Sequence, residues 1–392
     1  MKVELGRIYD ISSGGTPSKK CKDYYDGGKI KWVKTGDLKE KYLYDTDEYI
    51  TQKGLQNSSA KLYPSDTVLV AMYGATIGAT SILKSEACTN QACAAFIKNN
   101  KVIPEYLYYF FKSKKEKFIK DGVGGAQPNI SAGYLRKVKI DLISIGEQRK
   151  IVKKLGKIEE LIGNEQEQIR QFDILLKSRF VEMFGDPVYN PMQWPVKKLG
   201  DLSLQINSGN TPKGGEQVYV NKGITFFRSQ NVWKDRLEMD DIAYIDEATH
   251  VSMNRSSLKH GDILMTKTGR INTENSSLGR AALYMGEDDA ANVNGHVYFI
   301  RLRGGVNNKF ILRILVSDEY KDYIRNVCVG GIDKRQLNKD HIENFPIICP
   351  PKSMIEEYIM FVKQIDKLKF EQQQQLEKTQ ILFDSLMQQY FG

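Results

Sequence analysis

"EQRKIVKKLGKIEELIGNEQEQIRQFDILLKSRFVEMFGDP", residues 147–187, has the pattern of one long helix. Before Gly185 it holds no proline, and glycine only at 156 and 163. Apolar side chains fall at Ile151, Leu155, Ile158, Ile162, Ile169, Phe172, Leu176 and Met183. Their steps of three and four residues are those of a heptad seam, with Glu165 in one slot. Gly185 and then Pro187 end the helix in the usual order. A helix of this length spans ~57 Å at 1.5 Å per residue. Such a narrow apolar stripe is a core that needs a partner. Residues 351–392 supply one, with a second seam at Ile355, Val362, Ile365, Leu376, Phe383 and Leu386 around a polar "EQQQQ" centre (371–375). Two related helices that bury their seams against each other are expected to pack antiparallel, giving an approximate two-fold axis.

Outward from the helices, the whole chain reads as one plan written twice. "ELGRIYDISSGGTPS" (4–18) matches "KLGDLSLQINSGNTPK" (198–213), and "KIKWVKTGDL" (29–38) matches "GITFFRSQNV" (223–232). "YPSDTVLVAMYG" (63–74) matches "LKHGDILMTKTG" (258–269), and "TNQACAAFI" (89–97) matches "NVNGHVYFI" (292–300). "VGGAQPNIS" (123–131) matches "VGGIDKRQL" (329–337), and "LKSRFVEMFG" (176–185) matches "FDSLMQQYFG" (383–392). The order never changes. Each copy opens with short β-type runs broken by Gly, Pro, Asn and Asp, and one helix is expected in each at 104–120 and 308–326. The fold class is therefore α+β: two repeated α/β modules, 1–146 and 186–350, separated by two long antiparallel coiled-coil helices, 147–185 and 351–392, in a pseudo-two-fold arrangement.

Composition narrows the function. The 392 residues are 41% hydrophobic, enough for packed cores, and carry a net charge of +9. Residues 1–146 hold 23 Lys and Arg against 15 Asp and Glu, whereas 186–350 hold 21 against 20. A basic balance suits a nucleic acid or an acidic partner. The five cysteines (Cys21, Cys88, Cys93, Cys328, Cys349) lack CxxC spacing and read as reduced thiols. The four histidines show no metal-ligand spacing, so no metal is expected. No Walker loop, GxSxG or HExxH is present. "DPVY" (186–189) is read as a helix stop and linker, and Asp66 and Asp262, which recur between copies, as turn caps. Neither a signal peptide nor a membrane span is seen, and a cytoplasmic location is expected.

Two modules on a two-fold axis mirror the symmetry of duplex DNA, and the repeated loops supply contact candidates. The Gly-Thr-Pro loops offer Ser13, Thr16, Lys19 and Lys20 in one copy and Thr211 and Lys213 in the other, as hydroxyl and ammonium donors to phosphate. Lys34, Thr35, Arg228, Ser229 and Gln230 follow apolar strands, as do Tyr73, Thr76, Lys267, Thr268 and Arg270. Asn90, Gln91, Asn292 and Asn294 occupy the next matched segment, and Gln127, Asn129, Lys334, Arg335 and Gln336 the last. Amides and guanidinium groups read adenine and guanine bidentately. The basic "KSKKEKFIK" (112–120) is a further phosphate candidate, or a solvated helix face.

The start "LGRIYDISSGGTPS", the region "EQRKIVKKLGKIEELI", the join "FGDPVYNPMQWPVKKLGD", the restart "SGNTPK" and the closing "FG" together resemble the specificity subunits of Type I restriction–modification systems, over nearly the whole chain. The resemblance implies that 1–146 and 186–350 are target-recognition domains and that the helices are spacers. It implies a bipartite, asymmetric DNA site with a fixed gap, read by a subunit without catalysis. Two methyltransferase (modification) subunits would dock on the helices and restriction subunits would join them. S-adenosylmethionine, ATP and Mg2+ would be carried by those partners and no cofactor by this chain. A stand-alone DNA methyltransferase or nuclease, and a non-DNA helical scaffold, are the competing readings.

Overall fold

The computed structural model describes residues 1–122, 129–273 and 275–392. The chain divides into two compact units, Met1–Ile169 with Glu371–Gly392, and Arg170–Phe370. Each long helix, Ile145–Phe184 and Lys352–Phe391, therefore contributes to both units instead of forming a separate segment. The reason is burial: each half-helix packs its apolar face into the core of its own unit.

In the first unit the main sheet runs in the order Ser12–Ser13, Cys93–Phe96, Val68–Ala71, Thr80–Leu83, Tyr42–Leu43. Val68 to Ala71 and Cys93 to Phe96 are buried without exception, which explains their apolar runs. A second sheet runs Tyr49–Ile50, Ile30–Val33, Ala87–Thr89, Leu62–Tyr63, with Ile30–Val33 and Ala87–Thr89 parallel. Helix Pro104–Asp121 begins with proline in its first turn and lays Leu107, Phe111 and Phe118 into the core. Phe111 meets Phe96 at 4.8 Å between ring centroids.

The second unit repeats this layout. Its main sheet runs Ser203–Ser208, Val297–Leu302, Ile263–Thr266, Ala281–Leu283. Its second sheet runs Ala243–Ile245, Ile224–Phe227, Ala291–Val293, the last two again parallel. The single helix expected over 308–326 is not what forms. Residues 308–326 form two helices, Asn308–Leu315 and Asp318–Val327. Ser317 starts the second one, its hydroxyl accepting from the Tyr320 amide at 3.1 Å, and Asp318 and Glu319 supply an acidic first turn.

Asp66 and Asp262 are not equivalent either. Asp66 sits at φ 62° with its amide on the Leu83 carbonyl, and that left-handed position belongs to Gly261 (φ 86°, amide on Tyr284) in the second unit. Asp262 is the next residue along. It is buried, accepts from the Lys259 amide, and takes two bonds from the Arg301 guanidinium at 2.8 and 2.9 Å.

The seams lie where burial is greatest. Leu155, Ile158, Leu176, Val362, Ile365, Phe383 and Leu386 are buried, while Ile151, Ile162, Ile169, Phe172, Ile355 and Leu376 are half-buried. Within the second unit Asp173 pairs with Lys369 at 2.6 Å and Arg179 with Glu357 at 2.8 Å, so numbers rise on one helix as they fall on the other: the segments are antiparallel. Within the first unit Glu165, the polar intruder in the heptad, is buried and accepts from Thr379 at 3.1 Å. Gln148, wholly buried, ties the helix start to its module through the Ile103 amide and the Lys101 and Ile143 carbonyls. At the far end Gly185 (φ 74°) closes the first long helix, and the Trp194 indole donates to the Phe184 carbonyl.

Glu159 anchors the first unit's module to its helix. It accepts from Lys112 and Tyr109 at 2.9 Å and from Lys41 at 3.2 Å. Burial by itself pushes its carboxyl up; the Lys112 and Lys41 ammonium groups and the Tyr109 hydroxyl outweigh it and hold the pKa below the ordinary value. Its folded pKa lies below the unfolded one, so its contribution is present above the unfolded value near 4.3 and is lost as pH falls through the folded value. Glu159→Gln is expected to cost about 1–3 kcal/mol at pH 7. The variant and the parent should converge in acid when urea unfolding is compared at the two pH values.

Candidate nucleic-acid interface

The two Gly-Thr-Pro loops occur twice because backbone must pass where no side chain fits. A Cβ on Gly14 would stand 1.8 Å from the Thr89 carbonyl oxygen, and one on Gly209 would stand 2.0 Å from that of Val293. The next amides, Gly15 and Asn210, donate to those same carbonyls at 2.9 and 3.2 Å. Trp32 adds an indole bond to the Gly15 carbonyl at 3.0 Å. Each loop is thereby laid across the end of a parallel strand pair. Thr16, Lys19 and Lys20, and in the other copy Thr211 and Lys213, stand exposed beyond it.

Sheet register gathers the other loops beside this one. In the first unit Ser13 pairs with Ala94, and Ala71, at the end of its strand, pairs with Cys93, at the start of its own. The Asn90 amide donates to Val33, and the Ile130 amide to Met72. Residues 13–20, 34–35, 73–76, 90–91 and 129 thus share one end of the two sheets. In the second unit Ser208 pairs with Tyr298 and Thr266 with Val297, and the Asn294 amide donates to Phe227. Residues 208–213, 228–230, 267–270, 294 and 334–336 form the corresponding rim. Gln127 lies outside the described residues.

Geometry assigns these residues different tasks. Lys34 and Arg228 each precede a single 3-10 turn, closed by Asp37 and Asn231 side chains that accept the Lys34 and Arg228 amides at 2.7 and 2.9 Å. Lys34 pairs with Glu48, whose hydrogen bond holds the ammonium pKa up. Arg228 is a correction. Only 14% of its side chain is exposed, its guanidinium pairs with Asp241 at 3.1 Å and lies over Tyr219, and it is built into the rim instead of projecting from it. Gln230 is exposed and donates to the same Asp241. Thr35 and Ser229 are half-buried within the turns.

Asn90 and Asn294 each accept from the amide two residues on, Ala92 at 3.1 Å and His296 at 3.0 Å, and so shape matching Asx turns. This pairing shows the sequence alignment of the segment to be one residue out, which misplaced Asn292. Asn292 is wholly buried, bonded to the Met253 carbonyl, Ser256 and His250, and makes no part of the rim. A shift of one residue along a strand moves a side chain to the opposite face.

Gln91 is exposed and accepts from Thr16. Tyr73 is exposed and bridges to the exposed Asn129, while Thr76 donates to the Tyr73 carbonyl and secures the loop. Lys267 and Thr268 are half-buried, and Arg270, Lys334 and Gln336 are exposed. Arg335 is the third correction: it turns inward, donating to the Arg325 carbonyl, with a buried Nε. In the basic run 112–120, Lys112 is engaged by Glu159 and Lys114 by the Phe391 carbonyl. Reading the sequence missed the rim acids Glu48 and Asp241, which only tertiary pairing reveals, and Ile332, 90% exposed, whose place between two glycines and Asp333 was a visible signal.

Among the described residues no group of His, Cys, Asp and Glu could hold a metal ion, and no helix is long and apolar enough to cross a membrane. The chain matches the family described as Type I restriction modification DNA specificity domain over residues 1–171 and again over 191–379. It is 28% identical over 407 aligned positions to the MjaIX Type I restriction enzyme specificity subunit of Methanocaldococcus jannaschii, covering 97% of this chain and 90% of that one. Two solved structures share the fold. A chain from a study of assembly and conformational transition of the type I restriction–modification system has TM-score 0.63 at 16% identity, covering 100% of this chain and 97% of that one. The S subunit from M. genitalium has TM-score 0.54 at 14% identity, covering 100% and 96%.

The glycine contacts generate a paired test. Gly14→Ala should force the loop off Thr89, lower unfolding stability by about 1–3 kcal/mol and weaken DNA binding. Gly36→Ala, with nothing within 4 Å of the added carbon, should stay within about 0.5 kcal/mol of the parent in the same thermal melts.

Proposed function

This chain belongs to the Type I restriction–modification DNA specificity family, and we propose from that premise how it reads its target. It is the DNA-recognition subunit of a restriction–modification complex and is not itself the catalyst. Each module reads one half of a bipartite site. The single observation that carries this is the rim: one backbone frame, with glycines on Thr89 and Val293 and Asx turns at Asn90 and Asn294, occurs twice with different exposed side chains. Tyr73, Gln91 and Asn129 face outward in one copy, and Gln230, Arg270, Lys334 and Gln336 in the other. Different side chains on one frame favour an asymmetric site. Thr16, Lys19, Lys20, Thr211 and Lys213 supply the phosphate contacts that fix register without reading bases.

The long helices set the gap between half-sites and dock two methyltransferase subunits, which restriction subunits join. S-adenosylmethionine, Mg2+ and ATP belong to those partners, and the complex works on DNA in the cytoplasm. Each base pair rises ~3.4 Å, so helix length converts into spacing. Inserting one helical turn into both helices is expected to lengthen the gap while each half-site keeps its bases, as mapped by sequencing methylated adenines. Changed half-site bases with the gap intact would refute the spacer role. Replacing residues 1–146 by another module should alter one half-site only.

A further inference from the structure

We propose that the second module reads its half-site with a β-ribbon, Thr268–Arg270 against Lys334–Gln336, inserted in the major groove with Ile332 at its tip. This rests on the DNA-reading role above and specifies how that rim performs it. Thr268 pairs with Gln336 and Arg270 with Lys334, so these four side chains share one face. The alternate residues face the other way. Gly269 is pressed so closely on Leu278 that a Cβ would stand 2.2 Å from its amide nitrogen, and Arg335 is bonded to the Arg325 carbonyl.

The ribbon is braced at both ends, by the Leu337 amide on the Lys267 carbonyl at 2.8 Å and the Ile271 amide on the Asp333 carbonyl at 3.0 Å. Val329–Gly330 pairs along the far edge of Lys334–Gln336. Strands lie ~4.8 Å apart, so this three-stranded sheet meets the ~12 Å major groove by its narrow end, where the turn carrying Ile332 joins Val329–Gly330 to Lys334–Gln336 beside Arg270.

The chemistry of the exposed face matches base edges. Arg270 is 70% exposed, with its Nε 3.4 Å from an Asp333 carboxylate oxygen, and a guanidinium presents the paired N–H groups that O6 and N7 of guanine accept. Gln336 has the donor and acceptor that adenine requires. Ile332, 90% exposed, buries almost nothing in the fold, and a thymine methyl is the apolar group the groove offers it.

The test uses the full chain with its methyltransferase subunits, on duplexes in which each position of the mapped site is varied. Arg270→Ala should weaken cognate binding about 5- to 150-fold, relax one guanine position of the second half-site, and leave non-cognate binding unchanged. Replacing that guanine by 7-deazaguanine should weaken the parent complex and have far less effect on the variant. Ile332→Ala should relax a neighbouring thymine position. If Arg270→Ala weakens cognate and random duplexes alike with a shallower salt dependence, the ribbon contacts phosphate and the proposal is wrong. If half-site specificity is untouched while the parent stays specific, the ribbon is not the reader. A parent complex with no site preference would overturn the DNA-reading role itself.

Discussion

The backbone of Gly14 lies on the Thr89 carbonyl, and that of Gly209 on the Val293 carbonyl, with no room for a side chain at either place. Everything at the rim depends on these contacts. They bring the first strand of each main sheet across the end of a parallel pair in the second sheet, and the Asx turns at Asn90 and Asn294 complete the junction. The loops then have a fixed frame and can vary in side chain without varying in path. A scaffold of this kind separates what holds a surface from what the surface recognises.

The two units use that separation differently. The first places an aromatic, Tyr73, and amides near its rim, and the second a braced three-strand ribbon carrying arginine, lysine and glutamine. Acids are part of the frame. Glu48 and Asp241 hold Lys34 and Arg228, a geometry that orders long basic side chains at the surface. The same pattern recurs away from the rim. Glu159 holds Lys41 and Lys112 against the long helix, and Asp318 holds Lys177 and Lys234, which keep its carboxyl at about 2. These basic side chains belong to the frame, so the charge offered to a nucleic acid comes from others, such as the exposed Lys19, Lys20 and Lys213.

Periodicity and repetition carried the sequence analysis far. The heptad steps located both long helices, and the restart "SGNTPK" located the second module. Loop-borne residues such as Thr16, Gln91, Asn129, Arg270 and Lys334 were legible as rim residues because they follow strand runs that the repeat marks twice. One error came from a strand. Asn292 was mistaken for a reader because an alignment one residue out exchanges the faces of a strand. Asp66 and Asp262 were equated by residue type alone, although it is Gly261 that shares the left-handed turn.

The duplication, the α+β class, the two seams and the family were all readable from residue order, because local periods and repeated motifs are properties of the chain taken in line. Which way each side chain faces was settled by the folded packing. Arg228 and Arg335 look like readers on paper, yet Asp241 with Tyr219, and the Arg325 carbonyl, take them up. The partner in each case lies elsewhere in the chain, and pairing between distant residues leaves no local mark.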